Sequence, residues 1–207
     1  MTRMLPILIS CGLMLLPSCS FISYSQVIPL VKTATLGVAD ITISEDFISE
    51  MKYSFAKVNL GKSGVAIMVL SDVDNGIYEW VSSSGEKLTT YNGKIVKASG
   101  TSFDFEVYDF RKFELLGSNT LEILLDFDVM LKSPHAFISQ LSSISSKILI
   151  EDDRFNGVDE YFEEVVNTAN FKWRYKNYYW KSSGRVTKSQ QTVHPMHPDV
   201  TITYYYK

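Results

Sequence analysis

The 207-residue sequence predicts a mainly β chain: a single antiparallel, strongly curved sheet or open barrel-like domain with one or two short helices. Three observations lead there. Short segments rich in β-branched and aromatic residues recur along the chain, some with alternating side-chain faces. Turn signals built on Gly and Asn separate them at short intervals. Hydrophobic residues make up 45% and aromatics 13%, enough apolar surface for one sizeable core and too much for a disordered chain.

The amino end, MTRMLPILISCGLMLLPSCS, has the three-part layout of an export signal: Arg3, a nearly uncharged apolar stretch over 4–16, and the small Ser18 before Cys19. That stretch is too short for a membrane span, and no later segment offers the roughly 18 consecutive apolar residues a spanning helix needs. The two cysteines are Cys11 and Cys19. Cleavage before Cys19 removes Cys11 and leaves one thiol at the first position of the mature chain, with no partner for an intramolecular disulfide despite an oxidising route. A lone terminal cysteine after Leu-x-Ser has the form of a bacterial lipobox. Cys19 is therefore the candidate lipidation site, its thiol carrying diacylglycerol and its amine an acyl chain such as palmitate; several chains anchor stably where one does not. An ordinary signal cut elsewhere is the alternative, and Pro17 is unusual inside such a box. Ser20, rather than Asp, after the cysteine favours the outer membrane, with the protein facing the periplasm. The expected organisation is a signal over 1–18, a tether over 19–26 and one β-rich domain over 27–207.

Within the domain, 27–36 is apolar, carries Lys32 and lacks alternation, so it reads as a short helix packed on the body. Met51, Tyr53, Phe55 and Lys57 share one face and Lys52, Ser54, Ala56 and Val58 the other, which is a strand. After a turn at 61–64, the continuous apolar run at 65–70 reads as a strand buried on both faces. A turn over 72–76 leads to a strand at 77–81, and a turn over 82–85 to another at 87–91. Asn92-Gly93 then marks a two-residue hairpin, because a type I′ turn needs positive φ at both central residues; its return strand is 94–98. Phe103, Phe105, Val107 and Tyr108 suggest a further strand, and 120–131 another apolar stretch. Ser133-Pro134 resembles a helix start, and Phe137, Leu141 and Ile144 follow at helical spacing as far as Ser146. Strands resume at 147–151, 158–166, 171–181, 184–193 and 199–206, with a hairpin turn at 182–184.

Few residues suggest chemistry. Asp72, Asp74, Asn75 and Gly76 resemble part of a calcium loop, but Gly76 falls fifth and Ser83 twelfth, where an EF-hand loop needs Gly sixth and Glu twelfth; a turn is the better reading. His194 and His197 are flanked by Pro195 and Pro198, which bar a helix through the pair, and only Asp199 offers a third ligand, so a rigid loop is expected there. No metal or other cofactor is predicted. Asp126 with Asp128, and Asp104 with Glu106, share strand faces, yet nothing marks one acid of either pair for the desolvation that glycoside hydrolysis requires. There is no G-x-S-x-G motif. No enzymatic activity is expected. The chain carries a net charge of −3, one unit more negative once Arg3 is removed, and no basic block, which argues against nucleic acid as a partner.

The most aromatic stretch is NFKWRYKNYYWKSSG. Trp173, Tyr175 and Tyr179 fall on one strand face, Tyr178 and Trp180 on the other. Rings are common in strands and pack cores. With Arg174 and Lys176 beside them they also suit stacking on sugars and contact with acidic polymer. Trp173, Arg174, Tyr175, Tyr178, Tyr179 and Trp180 are therefore the candidate glycan or partner contacts.

The ordered set of segments resembles the group 4 capsule polysaccharide lipoprotein family (GfcB/YjbF). In YEWVSSSGEKLTTYNGKIVKASG a strand ending in Trp80 is followed by a turn over 82–85, a strand over 88–91, Asn92-Gly93 and a basic-apolar return strand over 94–97. ADITISEDFISEMKYSFAKVNL upstream is similar in order and spacing, and NYYWKSSGRVTKSQQTVHPMHPDVTITYYY looks like the closing unit, with Trp180 and Gly184 at its turn. The resemblance is weak over 101–155. It implies a periplasm-facing lipoprotein associated with capsule or exopolysaccharide export machinery, without catalytic residues to carry over. The expected function is thus a non-enzymatic, membrane-anchored accessory factor in polysaccharide assembly or export, with polysaccharide and export proteins as partners. A lipid- or lipoprotein-binding carrier is the alternative, and a glycan hydrolase a weaker one. Metabolic labelling with palmitate tests the anchor: label enters the wild type and is lost in Cys19→Ala, and equal labelling of the two would refute lipidation at Cys19.

Overall fold

The computed structural model describes residues 42–207, except 62–63, 102–103, 118–121, 133–134, 149–159, 169–172 and 195–196. The expected signal, Cys19, the tether and the helix expected at 27–36 lie outside the described residues. Twelve antiparallel strands form a closed barrel. They are β1 (Phe55–Leu60), β2 (Val65–Asp74), β3 (Ile77–Ser82), β4 (Lys87–Tyr91), β5 (Lys94–Ser99), β6 (Phe105–Tyr108), β7 (Glu122–Lys132), β8 (His135–Ile148), β9 (Glu160–Thr168), β10 (Arg174–Ser182), β11 (Arg185–Gln191) and β12 (Val200–Tyr205). Each strand pairs with its neighbours in chain order, and β12 returns to pair with β1 from Phe55↔Tyr205 to Leu60↔Val200. The curvature expected from the sequence thus runs to full closure, and no strand keeps a free edge.

Alternation explains which residues fill the interior. Ala56 and Val58 on β1, Trp80 on β3, Leu125, Phe127, Val129 and Leu131 on β7, and Val200, Ile202 and Tyr204 on β12 all point into one core. Fully burying each such side chain contributes about 1.5–3 kcal/mol. Outward charges pair at the surface: Glu79 with Lys87, Lys97 with Glu106, Asp126 with Lys112 and Lys176 with Glu163. Paired charges at outward positions are the reverse of a lipid-facing barrel, whose outer band is apolar. Among the described residues no helix is long and apolar enough to cross a membrane.

Two short helical segments complete the domain. Helix α1 (Glu45–Glu50) precedes β1; Ser44 caps it by accepting the Phe47 N–H at 3.2 Å, with Glu45 and Asp46 in the first turn. Phe47 meets Phe55 edge-on at 5.4 Å, and Phe55 stacks on Tyr205 at 4.6 Å. A 3-10 helix (Phe110–Gly117) between β6 and β7 drives Phe113 into the core, edge-on to Phe127 at 5.1 Å.

The helix expected from 133 to 146 is instead strand β8. It pairs with β7 from Glu122↔Ser145 to Lys132↔His135 and with β9 from Gln140↔Thr168 to Ile148↔Glu160. The helical spacing of Phe137, Leu141 and Ile144 was outweighed by a serine-rich composition, poor in helix formers, and by two ladders that satisfy the backbone on both sides. The turn expected over 72–76 is narrower: β2 continues to Asp74 through an irregularity at Leu70/Asp72, and Asn75-Gly76 alone makes the turn, with φ of 48° and 80°.

The Asn92-Gly93 hairpin forms as expected, with φ of 50° and 79°. Gly93 has a second role. A Cβ there would lie 2.5 Å from Val186 Cγ1, so the β4–β5 turn sits directly on β11 across the barrel. Gly184, at φ 79° in the β10–β11 turn, would meet nothing. Gly184→Ala is therefore expected to cost about 1 kcal/mol of backbone strain, and Gly93→Ala a further ~1–3 kcal/mol of overpacking. Urea denaturation of both variants measures the difference; equal losses would show that the close approach is not rigid.

Candidate functional site

The barrel centre is polar. Lys94 on β5 and Glu164 on β9 are 4% and 1% exposed and form an ion pair, with Nζ 2.7 Å from Oε1 and 2.9 Å from Oε2. Glu164 Oε2 also accepts from Asn177 Nδ2 and Tyr179 O–H, each at 2.8 Å. The Lys94 ammonium lies 4.2 Å from the Phe113 ring centre and 4.7 Å from that of Phe127. Burial pulls Lys94 below the usual lysine range, against the attraction of Glu164, and burial with Glu164 nearby holds the Tyr179 hydroxyl well above its usual value. Beside this pair Gln191 accepts the Ile95 N–H at 2.9 Å and donates to Gly93 O at 2.7 Å and Ser189 Oγ at 2.9 Å. The network fastens β5 to β9, β10 and β11. It is a neutralised, hydrogen-bonded centre.

β10 separates the aromatic candidates by parity. Tyr179 is buried on Glu164, and Tyr175 donates to Gln140 Oε1 at 2.8 Å, so both belong to the interior. Trp173, just before the strand, packs 4.2 Å from Tyr175 and 6.0 Å from His194. Arg174 is exposed at the start of β10. Tyr178 and Trp180 face outward and join Tyr161 of β9, a residue the sequence reading passed over. Ring centres are 5.9 Å apart for Tyr161–Tyr178, 5.5 Å for Tyr161–Trp180 and 6.3 Å for Tyr178–Trp180. Lys188 Nζ lies 5.0 Å over Trp180, and Lys176 pairs with Glu163 at 2.7 Å. Burial, then the neighbouring Tyr178 and Glu163, push the Tyr161 hydroxyl up to about 12, so it stays a donor. The register Trp180↔Tyr161 and Trp180↔Lys188 makes the cluster, a cross-strand relation that β10 alone does not reveal.

Each barrel end holds a cavity. At the end carrying the β1–β2 and β3–β4 turns, about 180 Å³ is lined mainly by apolar side chains, among them Leu60, Met68, Leu88 and Phe105, with His197 at the wall. Burial lowers the pKa of both His194 and His197, and His194 lowers His197 further. At the end carrying the β2–β3, β4–β5 and β10–β11 turns, about 120 Å³ is lined by Tyr78, Phe162, Tyr206, Lys181, Arg185 and Asn92.

The carboxylate pairs weighed for hydrolysis do not converge. Asp126 lies at the surface against Lys112 at 3.1 Å, Asp128 accepts from Ser139 at 2.6 Å, Asp104 accepts the Thr101 N–H at 2.9 Å, and Glu106 pairs with Lys97 at 3.2 Å. Among the described residues no cluster of three His, Cys, Asp or Glu could hold a metal ion.

These features define a closed up-and-down barrel with an ion-paired centre, charged flanks and an outward aromatic cluster. The chain belongs to the group 4 capsule polysaccharide lipoprotein family, GfcB/YjbF, whose model matches residues 30–205. Its fold is similar to the crystal structure of the hypothetical lipoprotein YmcC from Escherichia coli K12, with a TM-score of 0.68 over 89% of this chain and 96% of that one at 16% identity. No curated protein matches the chain. A capsule-related role and association with the cell envelope follow from the family.

The central pair makes a stability prediction. Glu164→Gln leaves Lys94 buried without its counter-charge and is expected to cost about 3–5 kcal/mol, whereas adding Lys94→Met to it recovers most of that loss. Denaturation of the two singles and the double measures the coupling; additive losses would mean that the two charges do not interact in the folded chain.

Proposed function

We propose that the chain is a non-enzymatic accessory lipoprotein of capsule or exopolysaccharide assembly and export, held at the outer membrane by acyl chains on Cys19 and facing the periplasm. The family match over 30–205 is the observation that carries this reading. The geometry supports it. The centre is committed to packing, so the barrel acts through its outer face and its ends. There Tyr161, Tyr178 and Trp180 offer apolar ring surface for the C–H faces of sugars, and Lys176 and Lys188 flank it with positive charge. Anchored by lipid, the domain presents this surface to polymer or to an export protein in the periplasm.

A second reading, a carrier of acyl groups, is favoured by the apolar cavity of about 180 Å³. A cavity of about 150 Å³ holds a single benzene-sized molecule, so this one accommodates only a short apolar moiety and not a whole lipid tail.

The test uses purified capsule polysaccharide from the native cells, titrated against the protein with tryptophan emission as readout. Trp180→Ala and Tyr178→Ala are expected to weaken binding about fivefold to tenfold, the loss of about 1 kcal/mol or more typical of an aromatic anchor. Deleting the protein should lower surface polysaccharide. Unchanged surface polysaccharide on deletion would overturn the accessory role, and unchanged binding in both variants would remove the aromatic cluster from it.

A further inference from the structure

We propose that the cavity beside the β10–β11 turn is a subsite for one acidic sugar of the polymer, with Arg185 as the carboxylate receptor; this rests on the reading that the protein meets polysaccharide. Arg185 is exposed at the start of β11, and its guanidinium lies 5.4 Å over the Tyr206 ring. Among the described residues no carboxylate pairs with it. The other cation of the cavity, Lys181, is already matched, 3.1 Å from Glu160. The mouth therefore carries one uncompensated positive charge beside an aromatic ring. The planar guanidinium fork suits bidentate capture of a carboxylate.

The rest of the lining suits the edge of a pyranose. Tyr78, Phe162 and Tyr206 supply apolar ring surface, and Asn92, Gly93 and Gly184 complete the rim. The Tyr206 hydroxyl donates to Val186 O at 3.0 Å, and Tyr206 meets Tyr78 at 6.0 Å, so the ring is braced from two sides. At about 120 Å³ the hollow is smaller than the roughly 150 Å³ that holds one benzene, so it takes the carboxylate edge of a sugar while the ring rests at the mouth. A mostly apolar concavity with a few convergent polar groups and one charge is the general form of a small-ligand site.

Arg185 and Tyr206 also line a second, shallower concavity of about 420 Å³ bounded by Ser182, Ser183, Thr187 and Tyr204. Two hollows sharing one guanidinium and one ring suit adjacent sugars of a chain better than a free monosaccharide. Gly184 lines the first of them, with open space where a Cβ would stand. The same hairpin carries Trp180 and Lys188 on its outer face, paired two positions along the strand from Ser182↔Arg185. A polymer lying on the outer aromatic cluster would thus reach this end of the barrel along one hairpin.

The probe is a hexamer of galacturonic acid, titrated by calorimetry into the full chain purified in detergent, alongside the same hexamer as its methyl ester, which keeps the rings and removes the charge. The acid is expected to bind at least about tenfold more tightly than the ester. Arg185→Gln should remove that preference, and Arg185→Lys should restore part of it. Arg185 is exposed, so the thermal midpoint of both variants should match the wild type. Equal binding of acid and ester, an acid preference unchanged by Arg185→Gln, no binding of either hexamer, or Arg185-dependent binding of phosphatidylglycerol vesicles in place of the hexamer would each overturn the subsite. The two readings separate cleanly. A chain whose deletion lowers surface polysaccharide but which ignores the hexamer keeps its accessory role and loses this site. A chain that binds the acid through Arg185 while its deletion leaves surface polysaccharide unchanged keeps the site and loses that role.

Discussion

The pairing of β12 with β1 is the constraint on which the rest of the molecule depends. Without it the meander would be an open sheet with two long edges, each a row of unpaired backbone groups. With it every strand is satisfied on both sides, and the inward side chains are shut into a volume they must fill. That explains the buried rings of Trp80, Tyr179 and Phe113 together. It also explains why the β4–β5 turn needs Gly93, since closure brings that turn onto Val186 with no room for a Cβ.

Closure also creates the demand met by Lys94 and Glu164. A single buried charge in such a space costs far more than its attraction to any distant group returns. Paired, hydrogen-bonded to Asn177 and Tyr179, and flanked by the faces of Phe113 and Phe127, the two charges become a fastening between opposite walls. A buried pair of this kind is a weak source of net stability, since well-packed apolar residues often serve as well. Its value lies in geometry: the pair fixes which wall faces which, and so fixes where the strand ends and their turns emerge.

Those turns and the outer face are where the protein is free to interact. The interior residues of β10 hold the hairpin in register, while the outward ones of the same strand form the aromatic cluster with Tyr161. One strand thus carries the core on one side and an outward aromatic cluster on the other. The arrangement suits a tethered lipoprotein, whose anchor supplies the location and whose barrel supplies a rigid face.

The sequence by itself determined the antiparallel β character, most strand positions, the Asn-Gly hairpin and Cys19 as the candidate anchor, because alternation, turn chemistry and a terminal cysteine are all local patterns. Even there, Ser44 followed by two acids was a readable helix cap that went unused, and the helical spacing in 133–146 misled because ladder pairing outweighs a weak local preference. The candidate contacts were legible as a group and not as two groups: that Tyr178 faces out and Tyr179 in follows from parity, but which parity meets solvent depends on the closed sheet. Only the tertiary structure joined Lys94 to Glu164 across 70 residues, set Tyr161 beside Trp180, and brought Tyr78, Arg185 and Tyr206 to one mouth. Such meetings are decided by register and closure over long separations, and no local spacing in the chain encodes them.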